Sequence, residues 1–182
     1  MKKSLRVILV GLLTVVLSML LTGCGGDNFQ GTWITKDPKQ TIHVLKIEKN
    51  GDNYLVQNTS YWYDIGAGKL VNNAIGDQTH LYDYDVTLTK AVGDKKTATL
   101  NKESLVIGPQ DIITYIEKDG SLLSDNETFV KLTDNKQLQE AKEKIKSNAE
   151  KTVQKREKNT MVKTKINKIN FIEDVTLDSG SK

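Results

Sequence analysis

The chain has 182 residues, with 26 Lys and Arg against 23 Asp and Glu, and a single cysteine. Lys2, Lys3 and Arg6 account for the whole formal excess of +3; the remainder is near neutral, which weighs against a nucleic-acid partner, since such domains are net basic. A lone cysteine excludes an internal disulfide, so stability must come from a core, and the length suits one domain with appendages.

Those three cations open the chain, and residues 7–21 follow as an uncharged apolar run ending in small residues. A positive end, an apolar middle and a small-residue exit are the order of a secretory signal. About fifteen apolar residues is short against the roughly twenty that span hydrocarbon. An ordinary signal peptide would want a small residue where Leu21 stands. A structural cysteine is a third reading, but Cys24 lies between Gly23 and Gly25, where no core element is expected. Leu21-Thr22-Gly23-Cys24 resembles the lipobox of bacterial lipoproteins. That resemblance implies loss of residues 1–23 as a signal peptide, acylation of Cys24, and membrane lipid as a partner on the extracytoplasmic side. A diacylglyceryl group carries two chains, which anchor stably where one binds marginally. Residues 24–29 then form a short tether that keeps the domain near the surface.

Residues 30–133 read as strands with turn signals at close intervals. Asn50-Gly51 suits a two-residue hairpin turn, which pairs Lys49 with Asp52, Ile47 with Tyr54 and Leu45 with Val56. The last two pairs share one apolar face, and extending it carries His43 and Trp62 onto the same side. Residues 64–79, rich in Gly and Asn, read as a long loop. In residues 81–90, Tyr82, Tyr84, Val86 and Leu88 alternate with Asp83, Asp85, Thr87 and Thr89, the pattern of a strand buried on one face. Shorter strands follow, and Asp119-Gly120 repeats the turn chemistry of Asn50-Gly51. About eight strands joined by short turns make an antiparallel up-and-down barrel or a strongly curled sheet. Gly31-Thr32-Trp33 resembles the G-x-W that opens the first strand of lipocalins and lipocalin-like bacterial domains. The resemblance implies a barrel with the tryptophan packed at its closed end; it does not carry a ligand across.

After residue 133 the pattern changes. Asp134 with Gln137 forms a capping box, and Leu138, Ala141, Ile145, Ala149 and Val153 recur at spacings of three and four. These predict one charged amphipathic helix over residues 134–158, with eight basic against five acidic side chains. Two readings are open: a solvated helix lying loosely on the barrel, or a pairing surface for another helix or for anionic headgroups. Residues 159–182 read as a polar, partly disordered tail. Within it, Ile166, Ile169, Phe171 and Ile172 make an apolar knot that either docks or adds a strand.

No nucleophile elbow, phosphate loop or zinc-protease helix is present, so neither an enzyme nor a cofactor is expected. His80 lies near Asp77, Asp83 and Asp85, a set that can suggest a metal, although Asp83 and Asp85 fall on a polar strand face where carboxylates are ordinary. Tyr61, Trp62, Tyr63, Tyr82 and Tyr84 cluster beside the long loop. They serve either as core packing or, for Trp62, Tyr82 and Tyr84, as the mouth of a ligand pocket. Two functions therefore stand: a membrane-anchored binding module for a small ligand or an envelope protein, or a structural lipoprotein acting through its helix with the β domain as a spacer.

Overall fold

The computed structural model describes residues 28–73, 79–158 and 164–178. The segment expected to be a signal peptide, the lipobox-like stretch at Cys24 and the chain end after residue 178 lie outside them.

Among the described residues ten strands come first: β1 (Gly31–Thr35), β2 (Thr41–Asn50), β3 (Asn53–Ile65), β4 (Lys69–Asn73), β5 (His80–Val92), β6 (Lys96–Asn101), β7 (Ser104–Val106), β8 (Ile112–Ile116), β9 (Ser121–Ser124) and β10 (Glu127–Lys131). Helix α1 (Asn135–Lys158) and strand β11 (Thr164–Asp178) follow them. Eight strands close an antiparallel barrel in the order β3-β2-β1-β10-β9-β8-β7-β6, with β6 returning to pair with β3. Ring neighbours are also sequence neighbours except at two places: β1 pairs with β10, and β3 pairs with β6 across the β4–β5 excursion.

That excursion exists because β3 is longer than the barrel is tall. Residues 53–56 of β3 pair with β6, whereas Thr59–Ile65 pair with β5. Strands β5 and β6 thus run in line along one side of β3, interrupted at residues 93–95. Gly93 marks the break: its N–H donates to the Asn58 carbonyl at 2.8 Å, and a Cβ there would stand 3.1 Å from the same oxygen. Glycine is what lets the two backbones approach so closely. Beyond the break β5 leaves the barrel. Strand β4 pairs with its first half in the row that β3 vacates, and β11 pairs with its other edge in parallel.

Alternation along the strands gives the sheet two apolar faces. Inward-facing Trp33, Leu45, Ile47, Tyr54, Val56, Ala98, Leu105, Ile113, Leu122 and Phe129 fill the barrel, with Phe29 plugging one end. Trp33 is fully buried, and its Nε1–H donates to the Phe29 carbonyl at 2.7 Å. On the outer face, Ile34, Ile42 and Leu88 meet Ala141 and Ile145 of α1, and Val86 meets Ala149 and Val153. Helix α1 is therefore docked across the sheet rather than lying loosely on it, and its apolar stripe is spent there. The box at its start is formed: Asp134 Oδ1 accepts from the Lys136 N–H, while Gln137 Oε1 accepts from the Thr133 and Asp134 N–H groups.

Three sequence expectations change. The loop over residues 64–79 contains β4. Most of the segment read as a polar tail is the fifteen-residue strand β11, whose Ile166, Ile169 and Phe171 pack beneath α1. The first hairpin pairs Asn50 with Asn53 and Ile47 with Val56, two residues from the expected register. Its two loop residues are Gly51 and Asp52, with only Gly51 at positive φ (62°), as in a type II′ turn, so Asn50 stays in the strand. A slip of two preserves the buried face. The second hairpin departs differently, with a longer loop, residues 117–120, closed by the Gly120 N–H on the Ile116 carbonyl.

Candidate functional site at the barrel mouth

Phe29, Tyr54 and Tyr115 interlock edge-to-face at one end of the barrel and close it. The other end is open. There a cavity of about 470 Å³ sits above Leu45, Val56, Ile107, Ile113 and Phe129, which form its apolar floor. Its rim is polar: His43 and Asn58 from the inner faces of β2 and β3, Asp94 from the β5–β6 break, Lys96 at the start of β6, Asp111 before β8, and Asp125 and Glu127 around the β9–β10 turn.

Local chemistry explains each placement. His43 and Asn58 stand two residues from Leu45 and Val56, so they point inward one layer above the packed core. Asp125 and Asn126 both adopt positive φ (48° and 65°), the requirement of a type I′ hairpin turn and a conformation these residue types tolerate. That tight turn lifts Asp125 and Glu127 onto the rim.

The Ser60 hydroxyl lies 2.9 Å from His43 Nδ1, and Asn58 Nδ2 lies 3.3 Å from the same atom. The other ring nitrogen, Nε2, faces Glu127 Oε2 at 3.9 Å. Asn58 Oδ1 is buried and finds no hydrogen-bond partner among the described residues. Lys96 reaches Asp111 at 3.3 Å. An adjoining groove between residues 35–41 and β10 shares His43 and Glu127, and carries Lys36, Asp37 and Lys39.

Trp62, Tyr82 and Tyr84, expected at a pocket mouth, lie elsewhere. Trp62 follows Asn58 and Ser60 on the same face of β3 but stands beyond the barrel. There its Nε1–H donates to Asp64 at 3.0 Å, and it borders a cleft of about 300 Å³ beside α1. Tyr84 packs with the Val86–Val153 cluster under the Arg156 guanidinium, with Tyr82 beside it. Tyr61 and Tyr63 also face the helix side, Tyr61 beneath Lys142 and Tyr63 against Phe171. Burial is the main cause that raises the Tyr63 hydroxyl above the ordinary phenol value. The aromatic group is thus mostly packing between sheet and helix. Asp83 and Asp85 hold β11 through Asn167 and Asn170, and Asp85 holds β4 through Lys69. No cluster of three metal-ligating side chains occurs among the described residues.

No protein-family model, curated protein or solved structure matches the chain. The barrel mouth is therefore read from its own geometry.

Proposed function

We propose that the chain is a lipoprotein, anchored outside the cytoplasmic membrane through acylated Cys24, whose barrel is a binding module for a small ligand taken at its mouth. The observation that carries the binding reading is the open cavity over a packed floor. A concave apolar site with a few convergent polar groups is the usual form of a small-molecule site. The proposed anchor rests on the sequence order of cations, apolar run and lipobox. No helix among the described residues is long and apolar enough to cross a membrane.

The alternative, action through the helix, loses its main asset, because Ala141, Ile145, Ala149 and Val153 are buried against the sheet. Only the charged outer face of α1 remains for a partner.

Labelling a culture with radioactive palmitate and fractionating it tests the anchor. The wild type is expected to take up label and pellet with membranes, and Cys24→Ser to do neither. An unlabelled wild type, or a variant that stays equally membrane-bound, refutes it. Binding at the mouth is tested by Val56→Trp, which fills the cavity floor: ligand-induced thermal stabilisation is expected to vanish while the fold persists by circular dichroism.

A further inference from the structure

We infer that the cleft beside helix α1, separate from the mouth, is a carbohydrate site in which the Trp62 ring stacks on one face of a pyranose.

Trp62 stands apart from the other aromatic side chains. Among the described residues it joins no apolar cluster, packs against no second ring and lies under no cation. Rings on the helix side are capped instead: Tyr61 by Lys142, Phe171 by Lys146 and Tyr84 by Arg156. Yet Trp62 is held in place. Its Nε1–H donates to Asp64 Oδ1 at 3.0 Å, and Asp64 Oδ2 accepts from the hydroxyl of buried Thr89 at 2.7 Å. A hydrogen-bond chain rooted in a buried residue thus fixes an indole that the core does not use. A ring held this way loses little freedom when a ligand stacks on it.

The cleft supplies the surroundings. Strand β2 begins at Thr41 opposite Trp62, so beyond that pair β3 has no strand neighbour on this side among the described residues. A hollow of about 300 Å³ opens there between residues 39–41, residues 62–65 and α1. Asn148, Thr152 and Arg156 recur every four residues and make the helix wall, with Ile65, Ile145 and Ala149 as the apolar part. The charges of Asp64 and Arg156 are engaged in the walls: Asp64 by Trp62 and Thr89, Arg156 by the Gly66 carbonyl at 3.2 Å and the Tyr84 ring. What remains for a ligand is of both kinds. Asn148 Nδ2 donates to the Lys39 carbonyl at 2.7 Å, which leaves its Oδ1 as an acceptor. The Gln40 amide and the Lys39 ammonium make no hydrogen bond or ion pair among the described residues. Donors and acceptors side by side suit hydroxyls, which act as either, whereas an ion is served by one kind only. The negative face of an indole meets the polarised C–H bonds on one face of a sugar ring favourably. A pyranose offers both.

The chain has two tryptophans, so its NMR spectrum holds two indole N–H signals, and Trp62→Phe assigns them. In the protein as isolated in non-ionic detergent, at least one of cellotetraose, chitotetraose and maltotetraose should shift the Trp62 signal saturably and leave that of buried Trp33 in place. By isothermal titration Trp62→Ala should weaken that sugar about tenfold, and Trp62→Tyr should restore most of the loss. Asn148→Ala should weaken it several-fold. Val56→Trp, which fills the mouth, should leave it unchanged, as should added salt, since the sugar is neutral. No saturable shift with any of the three overturns the inference and leaves the reading of the mouth standing. A shift produced by an uncharged tetrapeptide and by none of the sugars makes the open edge of β3 a peptide site, which also overturns it. Sugar binding lost in Val56→Trp but kept in Trp62→Ala places the sugar in the mouth and overturns it as well.

Discussion

Asp85 does more structural work than its place on a polar strand face suggests. One carboxylate oxygen accepts from Lys69 of β4 at 2.7 Å and the other from Asn170 of β11 at 3.1 Å, so a single side chain clips β4 and β11 to opposite edges of β5. The Lys69 hydrogen bond, then that of Asn170, hold its carboxyl below the ordinary carboxylate value. A depressed folded-state value stabilises the protein fully above the normal carboxylate range, and the contribution disappears as pH falls through the folded value. Asp85→Asn should therefore be less stable than the wild type at neutral pH, with the gap closing below about pH 4. Urea unfolding at a series of pH values measures it; a gap independent of pH would show that the charge contributes nothing. Trp33 is a different kind of residue, fully buried and bonded to the Phe29 carbonyl. Trp33→Ala removes that packing and orphans the carbonyl, and should cost about 3–5 kcal/mol by denaturant titration.

Helix α1 and strand β11 depend on each other. Ile145 and Val153 are buried against the sheet, while Lys144 pairs with Asp37, Asn148 donates to the Lys39 carbonyl at 2.7 Å, and Lys146 lies over the Phe171 ring at 4.9 Å. Val153→Ala opens a small void and should cost about 1–2 kcal/mol, less than Ile145→Ala at about 2–5 kcal/mol. Amide exchange should rise in β11 as well as in α1, since Val153 shares a cluster with Ile166, Ile169 and Phe171; exchange confined to the helix would disprove the coupling. The helix itself was legible, because its capping box and its stripe are local patterns. Strand β11 was not, for a specific reason: its half-buried apolar residues fall at 166, 169 and 171, and the register shift between Ile166 and Lys168 breaks the alternation that announces a strand. Nor does any local pattern name a parallel partner eighty-four residues away, as in Ile166 against Tyr82. The barrel was legible from its turns and alternation. The mouth was legible only in part: His43 fell on the inner face, but Asn58 and Glu127 carry no motif, and the Asp125-Asn126 turn was the one usable sign. The tyrosines left two readings open because an aromatic strand face suits a helix-covered sheet as well as a pocket.

At the scale of the molecule, the two ends of the barrel differ in a way that fixes its orientation on the proposed anchor. The described chain enters beside Phe29, which plugs the closed end, and Cys24 lies five residues earlier. Five residues reach at most about 17 Å. The inner face of β2 runs from Ile47, deep in the barrel, to Thr41 past the mouth, a rise of about 20 Å. A tether fixed at the closed end can let the domain tilt, but it is too short to turn the mouth onto the bilayer. The mouth should thus open away from the lipid, into the aqueous phase. Single cysteines placed at Lys118, in the closed-end turn, and at Asp125, on the rim, report this through modification by a bulky maleimide on intact protoplasts. Asp125→Cys should react at the rate of the same protein solubilised in detergent, and Lys118→Cys several-fold more slowly on the membrane than in detergent. Equal protection of the two positions would mean that the barrel lies on its side, and protection of Asp125→Cys alone would mean that the chain is held from the other end.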